Sequence, residues 1–127
     1  MSKRETILVE NFWKETGGTL IEEFLEVRST RDQGSRLIDG VIIKGGPRRK
    51  VKASDAKIAG RRIVVVQAKA SRLGMYLLGQ ALFSRDLMAE FKPKSIETVA
   101  ICTKGDARLE QLALQHGIRV VVYEAKP

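Results

Sequence analysis

The stretch Ile63–Gly74, IVVVQAKASRLG, decides the fold. Four β-branched residues in a row, Ile63 to Val66, predict a strand rather than a helix. Side chains alternate across a strand, so Ile63, Val65, Gln67 and Lys69 share one face and Val64, Val66, Ala68 and Ala70 the other. Both faces begin apolar, which makes this strand central and covered on both sides. Its end is chemically unusual. An amide, Gln67, and an ammonium, Lys69, follow the most apolar run of the chain.

Working outward, hydrophobic spacing predicts the other elements. Ile7, Leu8, Phe12 and Trp13 fit a helix from Glu5 to about Thr16, stopped by Gly17-Gly18. Thr19–Val27 is rich in β-formers and reads as a strand, although LIEEFLEV also suits a helix. RSTRDQGSR is a polar turn, Leu37–Ile43 a second strand, and KGGPRR breaks that strand into a basic loop. Arg62–Ala68 is the third strand. Helices at Gly74 to about Phe91 and at Asp106–His116 alternate with strands at Glu97–Thr103 and Ile118–Tyr123, with Asp106 starting the second of these helices and Gly117 capping it. The order is αβββαβαβ: an antiparallel meander, then parallel strands joined by right-handed crossovers, in one mixed sheet flanked by helices. No linker or repeat divides the 127 residues, so a single domain over 1–127 is expected.

The same alternation places Leu37, Asp39, Val41 and Ile43 on one face of the second strand. Asp39 thus interrupts an apolar run, as Lys69 ends one. A lone buried carboxylate costs several kcal/mol unless it is paired or metal-bound. Neighbouring strands bring Asp39, Gln67 and Lys69 to one point, and two readings stay open. One is a structural Asp39–Lys69 ion pair capped by the Gln67 amide. The other is a divalent-metal site in which Asp39 supplies an anionic oxygen, Gln67 a neutral side-chain oxygen and Ala68 a carbonyl. Magnesium suits such oxygens and keeps several waters. The helix GMYLLGQALFSRDLMAEF is apolar almost all round, which predicts burial. Its polar row Tyr76, Gln80 and Ser84, at i, i+4 and i+8, faces either that point or nearby loop backbone.

Asp39, then Gln67-Ala68-Lys69 ending the next strand, then a helix carrying Gln80, resembles the PD-(D/E)xK nuclease superfamily. The likeness is greatest to small Holliday-junction resolvases of the archaeal type and to Mrr-like restriction endonucleases. It spans nearly the whole chain, including the opening helix and the VAICTK…HGIRVVVYE tail. The resemblance implies a restriction-endonuclease-like fold and a Mg²⁺- or Mn²⁺-dependent DNA endonuclease. It makes Asp39 the metal-binding aspartate and Lys69 the catalytic lysine. Gln67 stands where Glu or Asp is usual, as in the Mrr-like branch, and Ile38 stands where a proline often precedes the aspartate. The resemblance also implies a metal-binding glutamate in the first helix, Glu5 or alternatively Glu10, with Glu22 and Glu23 as weaker candidates.

Charge agrees with a polyanionic partner, though solubility alone is a reason for it too. Lys and Arg number 23 against 15 Asp and Glu, a formal charge of +8. Arg48, Arg49, Lys50 and Lys52, with Arg61 and Arg62, are the expected phosphate contacts, to DNA with RNA a further possibility. The single cysteine, Cys102, excludes an internal disulfide, and the single histidine, His116, argues against a Ser-His-Asp triad. Cys and His are too few for a zinc site, and no P-loop or GxGxxG is present. MSKRETILVE has no apolar signal core, and no apolar run approaches the roughly 18 residues of a membrane span, so a cytoplasmic protein is expected. Symmetric cutting of two strands by a one-domain enzyme implies a homodimer. Two further readings remain: a nuclease-fold domain that binds nucleic acid without cutting it, and an interaction domain that binds no nucleic acid.

Overall fold

The structure is a computed structural model. It describes residues 1–27, 34 and 36–124, and the side chains of 25–27 and 36 lie outside the description. Most of the predicted turn RSTRDQGSR therefore falls outside the described residues. The elements are α1 (Lys3–Thr16), β1 (Thr19–Val27), β2 (Arg36–Ile43), β3 (Arg62–Ala68), α2 (Met75–Ala89), β4 (Ser95–Cys102), α3 (Ala107–Gln115) and β5 (Ile118–Val122), with one 3-10 turn at Ala53–Asp55. LIEEFLEV, compatible with either state on its own, is a strand. The five strands lie in the order β1-β2-β3-β4-β5. β1–β2 and β2–β3 pair antiparallel, and β3–β4 and β4–β5 pair parallel. Among the described residues the fold is α/β, with a mixed sheet and three α-helices.

Local signals set the helix ends. Ser2 caps α1 by accepting from the Glu5 N–H, and the Glu5 carboxylate accepts from the Ser2 N–H in return, a capping box. Asp106 accepts from the Leu109 N–H to start α3. At the far end His116 is the last capping residue, and Gly117, in the left-handed region at φ 71°, turns the chain into β5.

β3 is the centre of the core. Val64, Val66 and Ala68 pack with Leu8, Val9 and Phe12 of α1 on one face. Ile63 and Val65 face the other way, where Met88 of α2 packs. Further along that second face, Leu77 and Ala81 of α2 meet Ala100 and Cys102 of β4 and Ala113 of α3. The junction of α1 with β1 is tightly built. Gly18 has φ 86°, and a Cβ there would lie 2.5 Å from the Ile43 carbonyl oxygen. Gly18→Ala is therefore expected to cost about 3 kcal/mol, combining left-handed strain with a backbone clash, as read by urea denaturation.

The strict alternation predicted for β2 lapses at Asp39. Ile38 packs with Val41 and Ile43, whereas Ile42 packs on the α1 side. β1 does the same opposite it: Ile21 and Phe24 share one cluster, although three residues apart. Between them Glu23 adopts φ 51°, rare for a residue with a Cβ. Past this kink Glu23 meets the chain's terminal ammonium, and Asp39 feels that ammonium and the charge of Glu5.

Candidate active site

The C-terminal end of β3 gathers the groups singled out by the sequence. Asp39, half-buried on β2, accepts a hydrogen bond at Oδ2 from the Ala68 N–H at 2.9 Å. Its own N–H donates a long bond, 3.4 Å, to Gln67 Oε1. Glu5 reaches across from α1, and its Oε2 accepts from the Ala70 N–H at 3.3 Å. Glu23 binds the chain's terminal ammonium at 3.3 Å. Lys69 is exposed just beyond the strand, and its charge acts on Glu5.

Electrostatics distinguish these carboxylates. Burial pushes Asp39 above the ordinary carboxylate range. The Ala68 N–H and the terminal ammonium oppose the rise, and the Glu5 and Glu23 charges add to it. For Glu5, burial pushes up, but hydrogen bonds from Ser2 and Ala70 and the charge of Lys69 outweigh it, so the group titrates low. Asp39 and Lys69 do not form the ion pair of the structural reading. Among the described residues, the ammonium of Lys69 binds no carboxylate.

Gln67 is brought beside Asp39, but not as a partner of its carboxylate. It is 3 % exposed, and its Nε2 donates to Ser84 Oγ on α2 at 2.7 Å. With Oε1 on the Asp39 N–H, both ends of the amide are engaged, on the α2 side of the sheet. Gln80 is near it: Tyr76, Gln80, Ser84 and Gln67 line one cleft of about 810 Å³. Ser84 rather than Gln80 holds Gln67, and the Gln80 amide has no hydrogen bond among the described residues. Ala68 contributes its N–H to Asp39.

The two glutamates proposed from the first helix separate cleanly. Five residues apart, they diverge by about 140° around the helix. Glu10 binds Lys50, which also binds Glu22 at 2.6 Å, so Glu10 and Glu22 are held away from Asp39. The same contact engages one of the expected phosphate contacts. Another, Arg48, donates to the Lys14 carbonyl at 2.6 Å and closes the end of α1. Arg49, Lys52, Arg61 and Arg62 are exposed. Arg62 starts β3, so it and the loop after Ile43 lie about 20 Å from the Asp39 end of the strand.

Sequence reasoning missed two cations nearer the site. Arg72 and Lys104 are exposed, and they are bridged to each other where the chain leaves β3 and β4. Their signal was positional, because open α/β sheets present ligand-binding groups beyond the carboxyl ends of parallel strands. The Ser2–Glu5 capping box was also legible as S-x-x-E, and it gives Glu5 a structural task besides any chemical one.

Among the described residues no three Asp, Glu, His or Cys side chains group closely enough to hold a metal ion by themselves. The donors do suit a hard cation that keeps most of its water, as magnesium does with one or two carboxylates. Asp39 has one oxygen on Ala68 and no described partner on the other, and Glu5 and Glu23 repel its charge. No helix among the described residues is long and apolar enough to cross a membrane. Comparison with protein-family models, curated proteins and solved structures returned no match for this chain.

Proposed function

We propose that the chain is a restriction-endonuclease-like domain that hydrolyses phosphodiester bonds in DNA with Mg²⁺ or Mn²⁺. The observation that carries this reading is Asp39: a half-buried carboxylate, raised by burial, fixed by the Ala68 N–H and subject to the charge of Glu5, which in turn feels the charge of Lys69, a lysine with no ion pair among the described residues. Asp39 and Glu5 would hold the cation. When bound it supplies a more acidic water and draws charge from the scissile phosphate. Lys69, held near by the charge of Glu5, places its ammonium over a phosphate oxygen and offsets the charge that builds there. Arg72 and Lys104 grip the next phosphates along the same sheet edge. Gln67 acts indirectly, positioning Asp39 through its N–H and tying β2 and β3 to α2.

A second reading, nucleic-acid binding without cleavage, is favoured by one feature. Gln67 replaces a carboxylate and has both amide ends engaged. Incubating the protein with branched and linear DNAs in Mg²⁺ or Mn²⁺ separates the two. Cleavage of any substrate, lost on chelation, supports the enzyme. Binding of all substrates without cleavage supports the second reading. Lys69→Ala is expected to lower the cleavage rate on the order of 10²-fold, as for loss of one electrostatic stabiliser, while leaving any metal-induced rise in melting temperature intact. An equal loss of both would give Lys69 a structural role.

A further inference from the structure

The helix α2 was expected to be buried all round, and it is not. Leu77, Ala81, Ser84 and Met88 are buried, but Met75 and Tyr76 are each 77 % exposed and Phe83 is 66 % exposed. Together with Leu37 of β2, 44 % exposed, they line the cleft of about 810 Å³ between α2 and the sheet. A second, smaller groove of about 200 Å³, between α2 and α3, runs along the other flank of the helix and takes in Leu109 and Leu112. Met75 and Gly79 border both.

Among the described residues nothing crowds Gly79. It lies in the interior of a helix, where glycine is the weakest former after proline. A Cβ added there would meet nothing within 4 Å. A glycine centred on an exposed apolar ridge leaves room for another backbone to approach. We propose that this face binds a second copy of the chain, α2 against α2 about a two-fold axis, with the helices closest at Gly79.

Three observations select that occupant. Among the described residues the cleft lining carries no charge, so it offers a polyanion no ion pair. The face offers both a ridge and flanking grooves, which a two-fold interface needs, because each copy must supply both halves of the contact. The area is right in scale. Covering Leu37, Met75, Tyr76 and Phe83 removes on the order of 600 Å² from each copy, against about 800 Å² per partner in a standard interface once its polar rim is counted. The inference goes beyond the proposed cleavage and does not rest on it, since a non-cutting domain would dimerise in the same way.

Sedimentation equilibrium of the full chain, from about 1 to 100 μM, tests it. The wild type is expected to sediment as a dimer. Phe83→Glu places a charge in the apolar face, and Gly79→Leu fills the gap at the crossing. Each is expected to weaken association at least about 100-fold, as for loss of an interface hot spot, with circular dichroism and melting of the monomer preserved. Phe83 is mostly exposed and a Cβ at Gly79 meets nothing within 4 Å, so the monomer is expected to fold with either change. A wild type that stays monomeric throughout, or either variant keeping the wild-type dissociation constant, overturns the proposal.

Discussion

Asp39→Asn is expected to abolish metal-dependent cleavage, by on the order of 10³-fold or more, and at the same time to make the protein more stable. The amide still accepts from the Ala68 N–H, so the strand end keeps its geometry. What it loses is a charge that the fold holds at a cost. Burial raises Asp39 above its ordinary 3.8, so the folded chain binds this proton more tightly than the unfolded chain does. The sign follows from linkage. Below the ordinary value both states are protonated and Asp39 is neutral to stability. As pH rises from there through the raised folded value, ionisation removes stability, and the loss is complete at neutral pH. The Asn variant is therefore expected to melt about 3 °C higher at pH 7, a gain that vanishes below about pH 4. Melting curves across that range, with and without Mn²⁺, check it. A drop in stability at pH 7 of about 3–5 kcal/mol would instead mean that Asp39 neutralises a buried cation, and the catalytic reading would fall.

The fold was largely legible because its signals are local. Runs of Val and Ile mark the strands, Gly17-Gly18 and Gly117 mark helix exits, and strand–helix alternation after Arg62 implies parallel pairing. The candidate site was legible in its membership more than in its arrangement. Asp39, Gln67 and Lys69 were conspicuous as polar residues in or beside apolar runs. Which way they point was not, because period-two counting assumes an unbroken pleat, and the kink at Glu23 and Asp39 breaks it.

Non-local pairing hid the rest. Lys50 meets Glu10 and Glu22, and Arg48 meets the end of α1, across 28 or more residues of sequence, so a basic run that reads as a free patch is partly engaged. Conversely Arg72 and Lys104, 32 positions apart, stand unannounced in the sequence and become neighbours only once β3 and β4 pair. The choice between Glu5 and Glu10 rests in the same way on which helix face the sheet meets.

That redistribution of charge shapes the second large effect, on DNA affinity. Each phosphate neutralised by a free cation releases counterions, so binding weakens with salt in proportion to the number engaged. Lys69, Arg72 and Lys104 at one end of β3, with Arg49, Arg61 and Arg62 toward the other, provide six exposed cations with no described ion pair. If all six engage, affinity falls by roughly 10³-fold between about 50 and 200 mM salt, a slope of about −5 on logarithmic axes. The two groups are about 20 Å apart along the strand, or about six base pairs of duplex, so one helix of DNA spans both. Replacing Arg72 and Lys104 together with Ala should flatten the slope by about 2 and weaken binding to every sequence alike. Lys50→Ala should leave the slope nearly unchanged, because Glu10 and Glu22 already neutralise that ammonium, and should instead lower the melting temperature. Fluorescence anisotropy at several salt concentrations reads all three slopes. Affinity independent of salt, or no binding at the lowest salt, would remove nucleic acid as the partner, and with it both the cutting and the non-cutting reading of this site.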